Sequence, residues 1–414
     1  MGDEHPALKI ISPWRILLPV AIGTCLSLVG DSSLYAVLPT HTHAAGVSLA
    51  SVGILLSVNR FVRLFLNSPA GAAYDRYPRR LLFVLALFIG ALSTAIYGLT
   101  QGFWPLMFGR LLWGLAWSGI WVGGNAMVLD ISNNESRGRW MGLYQFSFFL
   151  GAASGAMIGG ALTDRVGFNQ AMLVGAVVTL TGAVIALIFL PETRNMKGEP
   201  TKLVPDSANN SRIKSQFDNS NFATATALFG VNRLVIPGIL SSTLGIFLFQ
   251  QVGEQTQIAG RTIGVATLTG LALGLSTLVA MVSTLMAGWF SDHIGDRWRS
   301  AAGGLVPGIV GFVCLFLGLP ATIILGIPLV AMTSGSNQAL STVLIGDIGD
   351  QRRQGRQLGL LFTVGDLMSA IGPPLAYALM NLMEINALYL LSAGFFVIVF
   401  LVILWRIAGN RNGL

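Results

Sequence analysis

An all-α membrane protein of twelve transmembrane helices, arranged as two pseudo-symmetric halves of six, is the fold this sequence predicts. Three observations carry that expectation. The chain has 414 residues, of which 53% are hydrophobic and only 10% charged, whereas a soluble domain carries about 25% charged residues. Apolar runs of the length needed to cross a bilayer, about 20 residues, recur along the whole chain. The two halves of the chain also repeat each other at a fixed offset. So few charges cannot cover a soluble surface, so lipid must be part of the solvent. The 50 glycines fit the same view, because small residues let membrane helices approach closely.

The spans fall near 16–39, 47–73, 81–100, 104–130, 140–163 and 169–191 in the first half. In the second half they fall near 235–256, 262–290, 300–318, 321–346, 357–381 and 386–407. Spans 3 and 4 are joined by the short turn from Gly98 to Gly102, and spans 9 and 10 by Gly318-Leu-Pro320. The N-terminal stretch is short and polar with no small-residue cleavage site, so the first apolar run reads as an anchor that stays. The polar stretch from Glu192 to Arg233 reads as a cytoplasmic linker. This divides the chain into a bundle at 1–191, a linker at 192–233 and a second bundle at 234–414.

Orientation follows from the basic residues. With the N-terminus inside, the cytoplasmic segments hold 20 lysines and arginines and the outer segments hold only Arg165 and Arg261. Arg60, Arg63 and Arg110 lie within spans. Both termini are therefore expected in the cytoplasm. A net charge of +7 could suggest a nucleic-acid partner, but the charges sit at helix ends and no basic soluble domain exists to use them. Cys25 and Cys314 both lie in apolar runs, so neither a disulfide framework nor a metal site is expected. No phosphate-binding Walker loop, HExxH or Cys/His cluster occurs, so ATP-driven pumping and enzyme chemistry are unsupported.

The internal repeat is explicit. Gly71, Asp75 and Arg80 recur as Gly288, Asp292 and Arg297. Asp130, Gly138, Arg139 and Gly142 recur as Asp347, Gly355, Arg356 and Gly359, and Gly155 recurs as Gly372. Every pair is 217 residues apart. A parallel repeat of this kind belongs to transporters whose halves rock about a central site.

At these residues the chain resembles the major facilitator superfamily. Gly71-x-x-x-Asp75-Arg76-x-x-Arg79-Arg80 resembles the family's signature loop between helices 2 and 3, with Pro78 where the family usually has glycine. Gly288-x-x-x-Asp292 to Arg297 resembles its degenerate copy between helices 8 and 9. The arginines of the loop can pair with Asp130 or Glu135 on the next cytoplasmic loop, where Arg137 also lies. The resemblance implies that this cluster locks the outward-open state and breaks when the protein turns inward. The plainer reading is that Arg76, Arg79 and Arg80 only satisfy the positive-inside rule. Arg110-x-x-x-Gly114 resembles a motif of the superfamily's proton-coupled antiporters. Gly151, Gly155, Gly159 and Gly160 resemble its antiporter motif, with Ala156 in place of proline.

Charges inside a span are costly and usually mark function. Asp31 and Arg110 lie at similar depth, roughly 10–12 Å from the outer face at 1.5 Å per residue. In the superfamily's arrangement both their helices line the central cavity, so the two can pair. A carboxylate beside an arginine stays ionised and takes a proton when the arginine moves away, which makes a proton switch. The bland alternative is a static neutralising pair. Arg60 and Arg63 share a helix face, and only one of them can also reach Asp31. They suit an anionic substrate group, or they snorkel and pair with polar groups. Asp366 is a second protonation candidate or a partner for an arginine of the other half. Asn59, Tyr35, Trp113, Trp117, Gln250, Glu254 and Asn337 are further candidates for the substrate path, each also explicable as packing or interhelical bonding.

The reading that these residues support is a secondary transporter of a small organic molecule. It is expected in a bacterial inner membrane, as a monomer in lipid, with the proton gradient and no cofactor as its drive. Proton-coupled efflux leads. An organic-anion importer or exchanger using Arg60, Arg63 and Arg110 is the alternative. A non-transporting sensor on the same fold is a third class.

Overall fold

A computed structural model describes residues 12–133, 136–194, 219–258, 260–348 and 354–411. Glu135, one of the expected gating residues, lies outside them. The first half contains α1 (Trp14–Val37), a single turn α2 (Thr42–Ala45), α3 (Leu49–Arg76), α4 (Arg79–Leu99), α5 (Phe103–Asp130), α6 (Arg137–Val166) and α7 (Phe168–Phe189). The second contains α8 (Asn219–Arg233), which runs through a π-helical segment (Leu234–Leu240) into α9 (Ser241–Val252). A hairpin of β1 (Gln255–Ile258) and β2 (Arg261–Gly264) follows, paired antiparallel with Gln255 opposite Gly264. Then come α10 (Val265–Ile294), α11 (Arg297–Leu317), α12 (Pro320–Ile348), α13 (Gln354–Leu379) and α14 (Ile385–Arg411).

Among the described residues, 11 helices are long and apolar enough to span a membrane, with α8 and α9 counted as one. The twelfth is α5, whose 28 residues suffice in length. Arg110 and its glycines and tryptophans lower its hydropathy. The repeat is visible in the architecture: α5, α6 and α7 start at 103, 137 and 168, and α12, α13 and α14 start 217 residues later, at 320, 354 and 385.

The seventh span departs from the sequence reading. It begins at Asn219, inside the stretch read as linker, so Arg233 sits within a spanning helix and is not cytoplasmic. The reason is local. The polar side chains of α8 are bonded to other helices: Arg406 donates to Asn221 and Ser220, and Asn232 Nδ2 donates to Ser334 O at 3.2 Å. Hydropathy counts such residues as exposed to water. Pro237 then removes one backbone donor from the helix, and the chain answers with the wider π turn, a device often found at functional sites.

Small residues set the helix crossings. A Cβ at Gly151, Gly155 or Gly159 would meet α1 at Cys25, Val29 or Ser33, at 2.0–2.8 Å from the nearest atom. The next face of α6 meets α10 of the other half. A Cβ at Gly160 would lie 2.1 Å from the Ala266 carbonyl, and one at Gly270 would lie 2.2 Å from the Ala156 carbonyl. Ala156 thus stands on the contact between halves, at the position where the antiporter motif has proline. In α13 the equivalent glycine, Gly372, packs on Gly238, and the carbonyl of Pro373 lies 2.9 Å from where a Cβ of Gly53 would be. The halves therefore meet through α6 with α10 and α3 with α13.

Replacing Gly270 with valine should cost about 1–3 kcal/mol by overpacking the seam between halves. Gly303, which has open space at its Cβ position, should accept alanine without loss. Thermal unfolding of the purified variants checks both.

Candidate functional site

The buried charges gather in the middle of the seam. Arg110 on α5 is wholly buried and pairs with Asp31 on α1, whose side chain is 14% exposed. Its other donors are also used: Nε bonds Leu55 O at 2.9 Å and Nη2 bonds the Tyr35 hydroxyl at 3.2 Å. Tyr35 in turn donates to Leu56 O at 2.8 Å. The Tyr35 ring lies between two guanidiniums, 5.1 Å from Arg60 and 5.5 Å from Arg110, within cation–π range.

Arg60 reaches across to the second half and does not pair with Asp31. Its Nη1 donates to Pro237 O at 2.9 Å and to Ser369 O at 2.5 Å. Both acceptors lie where a helix is broken. Ser369 O stands four residues before Pro373, which has no N–H to offer it. Pro237 O lies in the π turn. Arg63, one turn further in, donates through Nη2 to Asp366 Oδ1 at 2.9 Å, and Arg233 approaches the same oxygen at 3.5 Å. Asp366 is thus the cross-half partner of an arginine. Arg233 was hidden from sequence reasoning by the misplaced start of span 7. The apolar run from Phe222 to Val231 just before it was the available signal.

The other candidates are dispersed. Trp113 is 1% exposed and packs against Gly90 on α4. It starts an aromatic stack through Trp117 at 6.0 Å and Trp121 at 5.7 Å to Phe148 at 5.2 Å. Asn59 is buried with its Oδ1 unpaired, and Asn337 is fully buried with neither amide atom bonded. Gln250 lies at the outer end of α9 beside the turn between α13 and α14. Glu254 lies in an outer pocket of about 1040 Å³ with Arg261, His41 and Asp164. Neither Gln250 nor Glu254 is near the central charges.

The inner loops are tied within each half. Arg79 pairs with Asp130 and donates to Ala126 O at 3.2 Å. The Glu192 carboxylate caps α4, accepting from the backbone N–H of Arg79 at 3.0 Å and of Arg80 at 3.1 Å. In the second half, Arg297, the repeat partner of Arg80, pairs with Asp292 at 2.5 Å and with Asp347, the repeat partner of Asp130, at 3.2 Å. Asp75, Arg76 and Arg137 are exposed. Gly71 and Gly288 have little or nothing against them.

Among the described residues, hydrogen bonds between the halves occur at two levels. One is the central cluster of Arg60 and Arg63. The other is the outer end, where the Asp164 carboxylate of α6 accepts from Thr267 N at 2.7 Å and Thr267 Oγ1 at 2.5 Å. Asp164 thereby caps the first turn of α10. His41, in the turn beyond α1, is nearby. Burial pushes its imidazole below the usual range, while Asp164 and Glu254 pull it up. Among the described residues, no hydrogen bond joins the halves at the inner ends.

With this geometry in hand, comparison with known proteins is direct. The sequence profile of the Major Facilitator Superfamily matches residues 20–268 and 235–412, and the chain belongs to that family. It is a multi-pass membrane transporter, not an enzyme. It is 24% identical over 330 residues to the class E tetracycline resistance protein of Escherichia coli, covering 78% of this chain and 76% of that one. It is 28% identical over 263 residues to a probable 4-methylmuconolactone transporter of Cupriavidus pinatubonensis, covering 63% and 58%. Its fold matches a bacterial homologue of the human lysosomal transporter Spinster, solved inward-facing and occupied. The TM-score is 0.74 at 17% identity, over 95% of this chain and 97% of that one.

Losing the Asp164 cap should free the first turn of α10 by about 0.5–2 kcal/mol. Asp164→Ala should then speed amide hydrogen exchange over residues 265–270 by up to about tenfold. Arg165→Ala, which removes no cap, should leave it unchanged.

Proposed function

We propose that the chain is a proton-coupled secondary transporter that exports a small organic molecule by alternating access between its two halves. The observation that carries this is the Asp31–Arg110 pair and its connection, through Tyr35, to Arg60. Arg110 cannot lose its own proton. Asp31 is the one member of the pair that can change charge, and it is the member with some exposure.

Protonation of Asp31 removes the counter-charge of Arg110 and leaves it Leu55 O and Tyr35 as acceptors. An uncompensated guanidinium in low dielectric is costly, so the α1–α5 contact has reason to rearrange. Tyr35 touches both guanidiniums, and a shift of its ring reaches Arg60. Arg60 in turn holds the broken places of the second half. The charge change is thus delivered where the two halves can move against each other. The inner loops, with Gly71, Asp75, Arg76, Arg79 and Arg80 facing Gly288 and Asp292, take the role of the cytoplasmic closure when the outer face opens. One chain carries the whole path, which suits a monomer. The relative named for tetracycline resistance favours export as the direction.

The test is transport in proteoliposomes under an imposed pH gradient, with pooled drug-like molecules and organic acids as probes. Asp31→Asn should lower gradient-driven movement by at least about tenfold, since one buried counter-charge is worth more than 1.4 kcal/mol. Exchange without a gradient should survive. Gradient-driven transport at the wild-type rate in that variant would rule out Asp31 as the coupling residue.

A further inference from the structure

The central cluster holds more positive charge than its own residues neutralise. Arg60, Arg63 and Arg233 meet a single carboxylate, Asp366, which lies 2.9 Å from Arg63 and 3.5 Å from Arg233. Asp31 is committed to Arg110. A guanidinium stays protonated at any accessible pH, so three cations share one anion at mid-membrane. Carbonyl dipoles hold Arg60. Among the described residues, the one acceptor of Arg63 and Arg233 is the shared oxygen of Asp366, with the Phe229 ring 6.0 Å from Arg233, and the buried Nε of each has no partner. A cluster built only to be neutral would carry a second acid, and unpartnered buried donors call for an explanation.

We propose that the substrate carries a carboxylate and that this group binds between Arg63 and Arg233, displacing Asp366 as their shared acceptor. The proposal rests on the transport reading above and names its substrate class. The forked guanidinium matches a carboxylate with two parallel bonds. Arg63 belongs to α3 of the first half and Arg233 to α8 of the second, so one bound anion bridges the halves. Asp366 holds the place while the carrier is empty and keeps the two arginines from repelling each other. Arg110 and Arg60, expected from the sequence to serve an anionic substrate, already have their bonds elsewhere. An organic cation meets net positive charge here and is disfavoured.

The full chain in lipid nanodiscs, titrated calorimetrically, tests this with benzoate, octanoate and lactate as carboxylates. Benzamide serves as a neutral isostere and tetraphenylphosphonium as a cation. At least one carboxylate should bind, and for benzoate the neutral isostere should bind about tenfold or more weaker, as expected for loss of a charge-assisted pair. Arg63→Gln and Arg233→Gln should each weaken carboxylate binding by at least about tenfold. Asp366→Asn should strengthen it by removing the competitor. If the Arg63→Gln variant fails to fold, the double variant Arg63→Gln with Asp366→Asn, which removes one charge of each sign, should bind carboxylates at least about tenfold more weakly than Asp366→Asn alone. Wild-type protein that binds no carboxylate yet loses gradient-driven transport in Asp31→Asn would overturn this proposal and leave the coupling reading standing, which separates the two. No binding by any of the three carboxylates at millimolar concentration overturns it. So does equal binding of benzoate and benzamide, or weaker carboxylate binding in Asp366→Asn.

Discussion

A guanidinium inside a bilayer can neither shed its proton nor do without acceptors, and the middle of this molecule is organised around that constraint. Placing an arginine at the centre of a membrane helix costs about 2.5–3.5 kcal/mol on insertion scales, and four arginines lie within the spans: Arg60, Arg63, Arg110 and Arg233. Each meets the constraint differently. Arg110 has a carboxylate, a carbonyl and a hydroxyl. Arg60 has two carbonyls at helix breaks. Arg63 and Arg233 share one acid. The order of decreasing satisfaction runs from the interior of the first half to the contact between the halves. The least satisfied pair is the one that straddles the two halves.

This order links packing to motion. Arg110 and its acceptors lie within one half, so they move as one body when the halves rock. Arg60 and Arg63 bond across the seam, and the Asp164 cap does the same at the outer end. These are bonds that alternating access must break or exchange. Ser369 O makes a suitable partner, because Pro373 lacks the N–H that would otherwise bond it, while Pro237 O is shared with the Ser241 hydroxyl at 2.5 Å. The glycine contacts of α6 with α10 and of α3 with α13 let the backbones come close on the outer side. On the inner side Gly71 and Gly288 have room, and Asp130, Asp292 and Asp347 pair with arginines of the same half.

Much of this was legible in the sequence because it depends on local chemistry. Span length, the positive-inside bias and the 217-residue repeat fixed the helices, their direction and their pairing in two halves. Asp31 and Arg110 were readable as a pair because both are charges in apolar runs at matching depth. What was not legible depends on partners far away in the chain. Arg233 looked cytoplasmic because α8 hides its polar residues against α12 and α14. Arg60 looked like an anion ligand because the bare carbonyl of Ser369 lies 309 residues away. Trp113 looked like a lining residue, but its large ring fills the space over Gly90.

The two halves descend from one pattern yet carry different loads, and the difference assigns them different jobs. The first half contributes the Asp31–Arg110 pair and two of the three seam arginines. The second contributes the π turn, the paired prolines of α13 and the single seam acid. At the positions equivalent to Arg60 and Arg63 the second half has Thr277 and Ala280, and at the position equivalent to Asp366 the first half has Phe149. Arg60 and Arg63 of the first half thus face backbone carbonyls and the one seam acid of the second, next to its π turn and the prolines of α13, and Arg233 is the second half's own cation at that place.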